Sequence, residues 1–298
     1  MMLPVHSISI NCLQLQKQNL MPQIKRFSGF NEYVSYNSDF VESSPMLYFF
    51  LIETINRVLR GEEKVHTFFN IVNKNNNCII VLLTTEVCLI YDDQFNNDMI
   101  PLLSEELEFS KFKRYRFAGC KKTIDALFKL NQTEYELQKH RIIYKCSAVS
   151  LDYKYAPGSM QMGDINRIEE LTTLSEGFAK EYFGDTKDPE NMRVKIMSGI
   201  LDDSIYQWVD CGRACSMAQS LNEDYDFPVI GHFYTYPSLR NKGYGTSIIH
   251  ALTKGLLEAG NPFVMLSTNA LTPSSNRVFE KVGYTNVGEY LLANKAKS

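Results

Sequence analysis

Excess charge of one sign, long apolar runs and tryptophan are all scarce in this chain. Its 298 residues carry 31 Lys+Arg against 34 Asp+Glu, a net charge of −3, and no cluster of basic residues stands out. Neither nucleic acid nor an anionic membrane surface is therefore an expected partner. The longest apolar stretch, residues 78–83, is the length of a strand, so no segment is expected to span a membrane. Residues 1–15 have neither a basic start nor a long apolar core, and do not read as a leader peptide. The seven cysteines, at 12, 78, 88, 120, 146, 211 and 215, include no C-x-x-C pair. Cys211 and Cys215 lack the second pair or His-x3–5-His that a zinc site needs, so no metal is expected. Reduced thiols in the cytoplasm are the expected state. The P-loop pattern G-x4-G-K-[ST] is missing as well.

The 44% hydrophobic and 22% charged composition fits a folded protein of one large or two ordinary domains. Residues 1–40 are weakly patterned and predict little structure. Helices are expected at 45–59 and 62–72, strands at 78–83 and 87–91, a helix at 97–108, a strand at 115–117, a helix at 121–130 and a strand at 138–151. The break Tyr155-Ala-Pro-Gly-Ser159 suggests a domain boundary, giving domains 1–150 and 151–298. In the second, Ile168, Leu171, Leu174, Phe178 and Tyr182 recur at helical spacing. A helix opened by Pro189 follows, then strands at 205–209, 214–220 and 227–236, a helix at 243–259, a strand at 263–268, a helix at 273–281 and a strand at 284–291. This order predicts a mixed α/β domain around one twisted sheet.

The informative stretch is Phe233-Tyr-Thr-Tyr-Pro-Ser-Leu-Arg-Asn-Lys-Gly-Tyr-Gly245, in which a strand ends, a turn follows and a helix begins. Its R-x-x-G-x-G, from Arg240 to Gly245, combines glycines that permit positive φ with the free N–H groups of a helix start. With the helix dipole, Arg240, Lys242 and the Thr246 and Ser247 hydroxyls, that is a site for an anion such as a pyrophosphate. Taken alone, the glycines could equally serve a plain helix start. A dinucleotide fold is disfavoured, because Ile248 occupies the third glycine position of G-x-G-x-x-G. Farther on comes Thr272-Pro-Ser-Ser-Asn276-Arg-Val-Phe279-Glu-Lys-Val-Gly283-Tyr284, with an N-cap threonine, a proline at the first helical position and a terminating glycine.

The two motifs together, R-x-x-G-x-G and N-x3-E-K-x-G-[FY], resemble the GNAT superfamily of acyl-CoA-dependent N-acyltransferases, and within it a branch whose N-terminal half is degenerate. The resemblance is close over about 60 residues and extends through element order to roughly 150. It implies a GNAT-like fold in the C-terminal half, packed on a degenerate GNAT-like half that shapes the acceptor side. It implies acetyl-CoA or another acyl-CoA as cosubstrate and a small-molecule amine as acceptor. Phe233, Tyr234 and Thr235 would pair with the pantetheine arm through their backbone. Asn241, Lys242, Gly243, Tyr244, Gly245 and Thr246 would hold the pyrophosphate, Asn276 would bond the pantetheine or phosphate region, and Phe279 would line the channel. The amine would attack the thioester directly.

The groups that move protons are less plain. Many relatives carry a Tyr where this chain has Phe279, which cannot donate a proton; Tyr284 and Tyr234 are candidates, as is Tyr236, and each could instead be packing. Residues 227–236 contain no carboxylate, which leaves His232 as the candidate base, with Asp226 behind it; a histidine on a strand can equally be structural. Trp208 and Met217 could line an acceptor pocket or belong to the core. Residues 115–123 form a glycine-containing β–α turn with two lysines, either a second anion site or an ordinary turn. The expected activity is acetyl transfer to a small or amino-acid-like amine. The alternatives are an amino-acid N-acyltransferase using a longer acyl-CoA and a catalytically weak acyl-CoA-binding protein.

Overall fold

Alternating and β-branched residues build most of this protein's sheet structure. The computed structural model describes residues 21–112, 115–184, 188–221 and 227–296. Cys12 and the candidate Asp226 lie outside them. The chain divides into two compact units, one formed by Met1–Arg141 with Glu289–Ser298, the other by Ile142–Gly288.

The first unit runs β1 (Gln23–Lys25), α1 (Phe30–Tyr36), α2 (Ser38–Ser43), α3 (Pro45–Leu59), β2 (Val65–Val72), β3 (Cys78–Thr84), β4 (Val87–Asp92), α4 (Ile100–Glu106), β5 (Arg116–Cys120), α5 (Lys121–Leu130) and the start of β6 (Tyr135–Cys146). Its strands lie in the order β1-β2-β3-β4-β5, antiparallel except for the β4–β5 pair. Two expectations are corrected here. Of the segment expected to have little structure, the described residues 21–40 hold a strand and helices, and 65–72 is a strand rather than a helix. Val-His-Thr-Phe-Phe-Asn-Ile-Val is dominated by β-branched and aromatic side chains that pack well on a pleated surface, and Phe69 and Ile71 are fully buried there.

The second unit runs from the end of β6 through β7 (Ser159–Met162), α6 (Ile168–Phe183), α7 (Pro189–Leu201), β8 (Ile205–Asp210), β9 (Arg213–Leu221), β10 (Val229–Thr235), α8 (Tyr244–Glu258), β11 (Val264–Asn269), α9 (Pro273–Val282) and the start of β12 (Thr285–Lys295). Strand order is β7-β8-β9-β10-β11 with the end of β6 beside β11. Apart from an extra helix in the first, both units repeat one order: strand, helices, three strands, helix, strand, helix, strand.

Their last strands are exchanged. Tyr290–Asn294 of β12 pairs antiparallel with β5, and Leu291 and Ala293 are buried in the first unit's core. Tyr144 and Cys146 of β6 are buried in the second unit's core with Ile248, Leu252, Leu266 and Phe279. Burying each such large apolar side chain stabilises by roughly 1.5–3 kcal/mol, so α8 is held to the sheet by the stripe Ile248, Ile249 and Leu252. A separate cluster on the α6 side contains Leu171, Leu174, Ile205, Met217 and Tyr234.

Candidate functional site

The site is built where β10 and β11 part. They are parallel neighbours, but their register covers only Val229–Met265 and Ile230–Leu266. Beyond that point the β11-facing backbone edge of β10 is left without a ladder partner, next to the start of α8. Gly243 precedes α8 with φ 88°, and no side chain caps the helix. The first intrahelical bond is from Ser247 N–H to the Gly243 carbonyl, 2.9 Å, so the N–H groups of Tyr244, Gly245 and Thr246 have no helical acceptor. Asn241 also adopts positive φ, 62°. A turn of this shape, opening an uncapped helix of 15 residues, presents amides and a positive dipole end to an anion.

Gly245 is fixed by packing rather than by φ. A Cβ there would lie 2.8 Å from Thr235 Oγ1 and 2.9 Å from Phe233 Cζ. The sequence candidates on β10 therefore face two ways. Phe233 and Thr235 face α8, and the Phe233 ring meets Phe279 edge-on at 5.8 Å. His232 and Tyr234 face α6, where the side chain of Tyr234 lies against Gly177. Phe279 is buried among Tyr144, Phe233 and Tyr284.

Three buried polar atoms around this opening have no hydrogen-bond partner: Thr235 Oγ1 on β10, Ser267 Oγ on β11 and Asn276 Oδ1 on α9. Asn276 Nδ2 donates to the Ala270 carbonyl at 3.3 Å, which leaves its acceptor atom unused. Buried polar atoms are seldom left unmatched, so these are groups a bound polar chain could satisfy.

Other candidates are engaged within the protein. Arg240 Nη2 lies 2.8 Å from Glu181 Oε1, and its Nε donates to the Thr235 carbonyl at 3.2 Å. Tyr234 donates to the same Glu181 oxygen at 2.7 Å, and burial with the carboxylate pushes its pKa up to about 12. Burial raises the Glu181 pKa, but hydrogen bonds from Arg240 and Tyr234 and the Arg240 charge outweigh it and leave a net lowering. Glu181 was not legible in the sequence, since it stands 59 residues before Arg240. The Tyr244 hydroxyl donates to Asp210 at 2.6 Å, which raises its pKa to about 12. Ser247 Oγ accepts from Ala156 N–H at 2.9 Å and lies 3.0 Å from the Tyr153 hydroxyl, so it is engaged by the 153–156 segment. Lys242 is exposed.

Tyr284 is buried with its hydroxyl 2.8 Å from Thr253 Oγ1 on α8, and burial pushes its pKa well up. Tyr236 donates to the Glu170 carbonyl at 3.1 Å. Trp208 donates to the Pro157 carbonyl at 2.8 Å and stacks on Tyr155, while Met217 is fully buried; both belong to the core. His232 lies 2.9 Å from Ser175 Oγ and 3.4 Å from Gln219 Oε1, and burial with the Lys195 charge lowers its pKa to about 4. Among the described residues no cluster of three His, Cys, Asp or Glu side chains could hold a metal ion, and no helix is long and apolar enough to cross a membrane.

The corresponding place in the first unit is shut. β4 and β5 stay in register from Val87–Arg116 to Ile90–Gly119, and a Cβ on Gly119 would sit 1.8 Å from the Ile90 carbonyl oxygen. The turn after β4 carries Asp93 and Asp98, the Asn96 side chain caps the Asp98 N–H, and Pro101 removes a further donor at the start of α4. At residues 115–123, Lys121 pairs with Asp125 and Thr123 with Asp92, so those groups serve the local fold.

Residues 212–292 match the family described as FR47-like protein. Among solved structures, the chain is similar to an acetyltransferase of the GNAT family from Colwellia psychrerythraea, with a TM-score of 0.51 and 13% identity over 93% of this chain and 100% of that one. A GCN5-related N-acetyltransferase from Sphaerobacter thermophilus matches with a TM-score of 0.48 and 14% identity over 81% of this chain and 85% of that one. No curated protein sequence matches the chain. At these identities the first likeness speaks for the fold.

Proposed function

We propose that the chain is a GNAT-superfamily N-acyltransferase that moves an acetyl group from acetyl-CoA to the primary amine of a small or amino-acid-like acceptor, a reading that the FR47-like match over residues 212–292 supports. The observation that carries this reading is the opening between β10 and β11 beside the uncapped start of α8. The cosubstrate supplies an acyl group already activated as a thioester. In this reading the amides from Asn241 to Thr246 hold the pyrophosphate, and the free edge of β10 at Phe233, Tyr234 and Thr235 aligns the pantetheine arm as an added strand would. Asn276 Oδ1 and Ser267 Oγ offer acceptors to its amides, and Phe279 walls the channel. In this reading the catalytic domain is 151–298, and the domain at 1–150, whose β4–β5 pair is closed, is degenerate.

Most of the rate would come from positioning and from backbone N–H donors of β10 aimed at the thioester carbonyl oxygen. The amine nitrogen attacks the carbonyl carbon, the C–S bond breaks, and CoA leaves as a thiolate. One proton must leave the ammonium beforehand and one more the nitrogen during transfer. In this reading Tyr234 and Glu181, joined by a hydrogen bond on the α6 face, relay it, with solvent as the sink. Tyr284 is committed to Thr253.

Titration calorimetry with acetyl-CoA, longer acyl-CoAs and NAD, followed by CoA release with a panel of amines, tests the reading. Binding of an acyl-CoA with turnover supports it. Saturable binding with no turnover on any amine would mark an acyl-CoA-binding protein, and preference for NAD would overturn both.

A further inference from the structure

β10 is broken at one residue. Gly231 pairs with Gln219 and Tyr234 with Met217, so His232 and Phe233 together stand against the single residue Ala218. This is a β-bulge, and His232 carries it with φ 49°, a conformation unusual for a residue with a bulky side chain. The imidazole is held by both neighbouring elements. Nε2 lies 2.9 Å from Ser175 Oγ on α6, and Nδ1 lies 3.4 Å from Gln219 Oε1 on β9. Gln219 is itself anchored by its Nε2, which donates to Ser204 Oγ at 3.1 Å. The Phe178 ring closes the remaining side at 4.8 Å, and the charged neighbour is Lys195 on α7.

These contacts assign the tautomer. Gln219 Oε1 can only accept, so Nδ1 carries the proton and Nε2 accepts from the Ser175 hydroxyl. The one basic lone pair of the ring is therefore already used, inside the protein, and is not offered to an incoming ammonium.

We propose that His232 is a positioning residue: its neutral ring clamps the β10 bulge between α6 and β9, and so sets the direction of the backbone amides that follow it at the β10–β11 opening. That those amides serve a thioester rests on the acyl-transfer reading; the clamp itself does not.

The test uses the full chain and three variants, His232→Asn, His232→Gly and His232→Val, with amide hydrogen exchange at Phe233 and Tyr234, acetyl-CoA titration, and the rate and pH profile of CoA release with the best amine of a panel. Asparagine accepts positive φ and can bond both partners, so it should stay within about threefold of the parent in all three readouts and keep its pH profile. Glycine keeps the φ but loses the clamp, so exchange at the two amides should speed up about tenfold. Valine disfavours the φ and should lose about tenfold in acetyl-CoA affinity as well. The proposal is overturned if His232→Asn binds acetyl-CoA normally but loses about a hundredfold in rate, as a lost proton carrier would. It is also overturned if neither valine nor glycine alters exchange. A parent that fails to bind acetyl-CoA defeats the acyl-transfer reading, and the exchange data still decide the clamp.

Discussion

The Arg240 guanidinium and the Glu181 carboxylate meet at 2.8 Å, tying the first residue of the glycine turn to the last stretch of α6. Both side chains are about half exposed, so the pair contributes under about 1 kcal/mol of stability. Its larger effect is electrostatic: the Arg240 charge beside the anion site is already partly cancelled. Glu181→Gln should therefore strengthen acetyl-CoA binding about threefold at low salt, with the gain fading at high salt. Arg240→Ala should weaken binding by a similar small factor. Calorimetric titrations at two ionic strengths check the order; a Glu181→Gln variant that binds more weakly than the parent would contradict it.

Gly243 offers a sharper contrast. With φ 88° and no close neighbour but Ala156 Cβ at 3.4 Å, Gly243→Ala should fold with a loss of about 1–2 kcal/mol. Gly243→Asp sets a carboxylate against the proposed pyrophosphate and should abolish the thermal shift caused by acetyl-CoA. A folded Gly243→Asp protein with the parental shift would show that the anion site is misplaced.

At Gly245 the obstacle is contact rather than conformation. A methyl group would meet Thr235 Oγ1 and Phe233 Cζ at under 3 Å, so Gly245→Ala should lose about 1–3 kcal/mol. Shortening the neighbour in Gly245→Ala/Phe233→Leu should recover part of that loss, which chemical denaturation of the two variants can measure.

Gly119→Ala should be the most damaging of the glycine changes. Gly119 already has φ 140°, its Cβ would fall on the Ile90 backbone, and the β4–β5 ladder would have to separate. A loss of more than about 3 kcal/mol is expected. If Gly119→Ala melts like the parent, the closed β4–β5 pair is wrongly described.

The buried His232 makes stability depend on pH in a defined direction. Its folded pKa is about 4, below the ordinary 6.5, so between these values the unfolded chain takes up a proton that the folded chain refuses. Stability should be flat above pH 6.5 from this group and fall by up to about 3 kcal/mol as pH drops toward 4. Denaturation at pH 7.5 and 5 should show a smaller difference in His232→Asn than in the parent.

Much of the second unit could be read from its residues. The α8 stripe, the Pro273 start and the Gly283 end of α9 obey local rules, and those elements fall within a residue of their expected bounds. The Gly243 turn was legible for the same reason: glycine at positive φ before an apolar stripe leaves few alternatives. Residues 65–72 misled, because apolar residues in a short run satisfy helical and strand spacing alike, and cross-strand packing decided between them. The strand at Ser159–Met162 lay hidden behind Pro157 and Gly158. The His232 bulge and the Glu181–Arg240 pair are set by neighbours tens of residues away, and no local pattern announces them.

The exchange of β6 and β12 bears on how this molecule can be divided. Cutting near residue 150 would strip the C-terminal piece of Ile142–Cys146 and leave the N-terminal piece without the residues that complete its interior, Leu291 and Ala293. Each fragment would display a raw sheet edge where its missing strand belongs, an invitation to aggregate. Halves produced separately should regain solubility only when mixed.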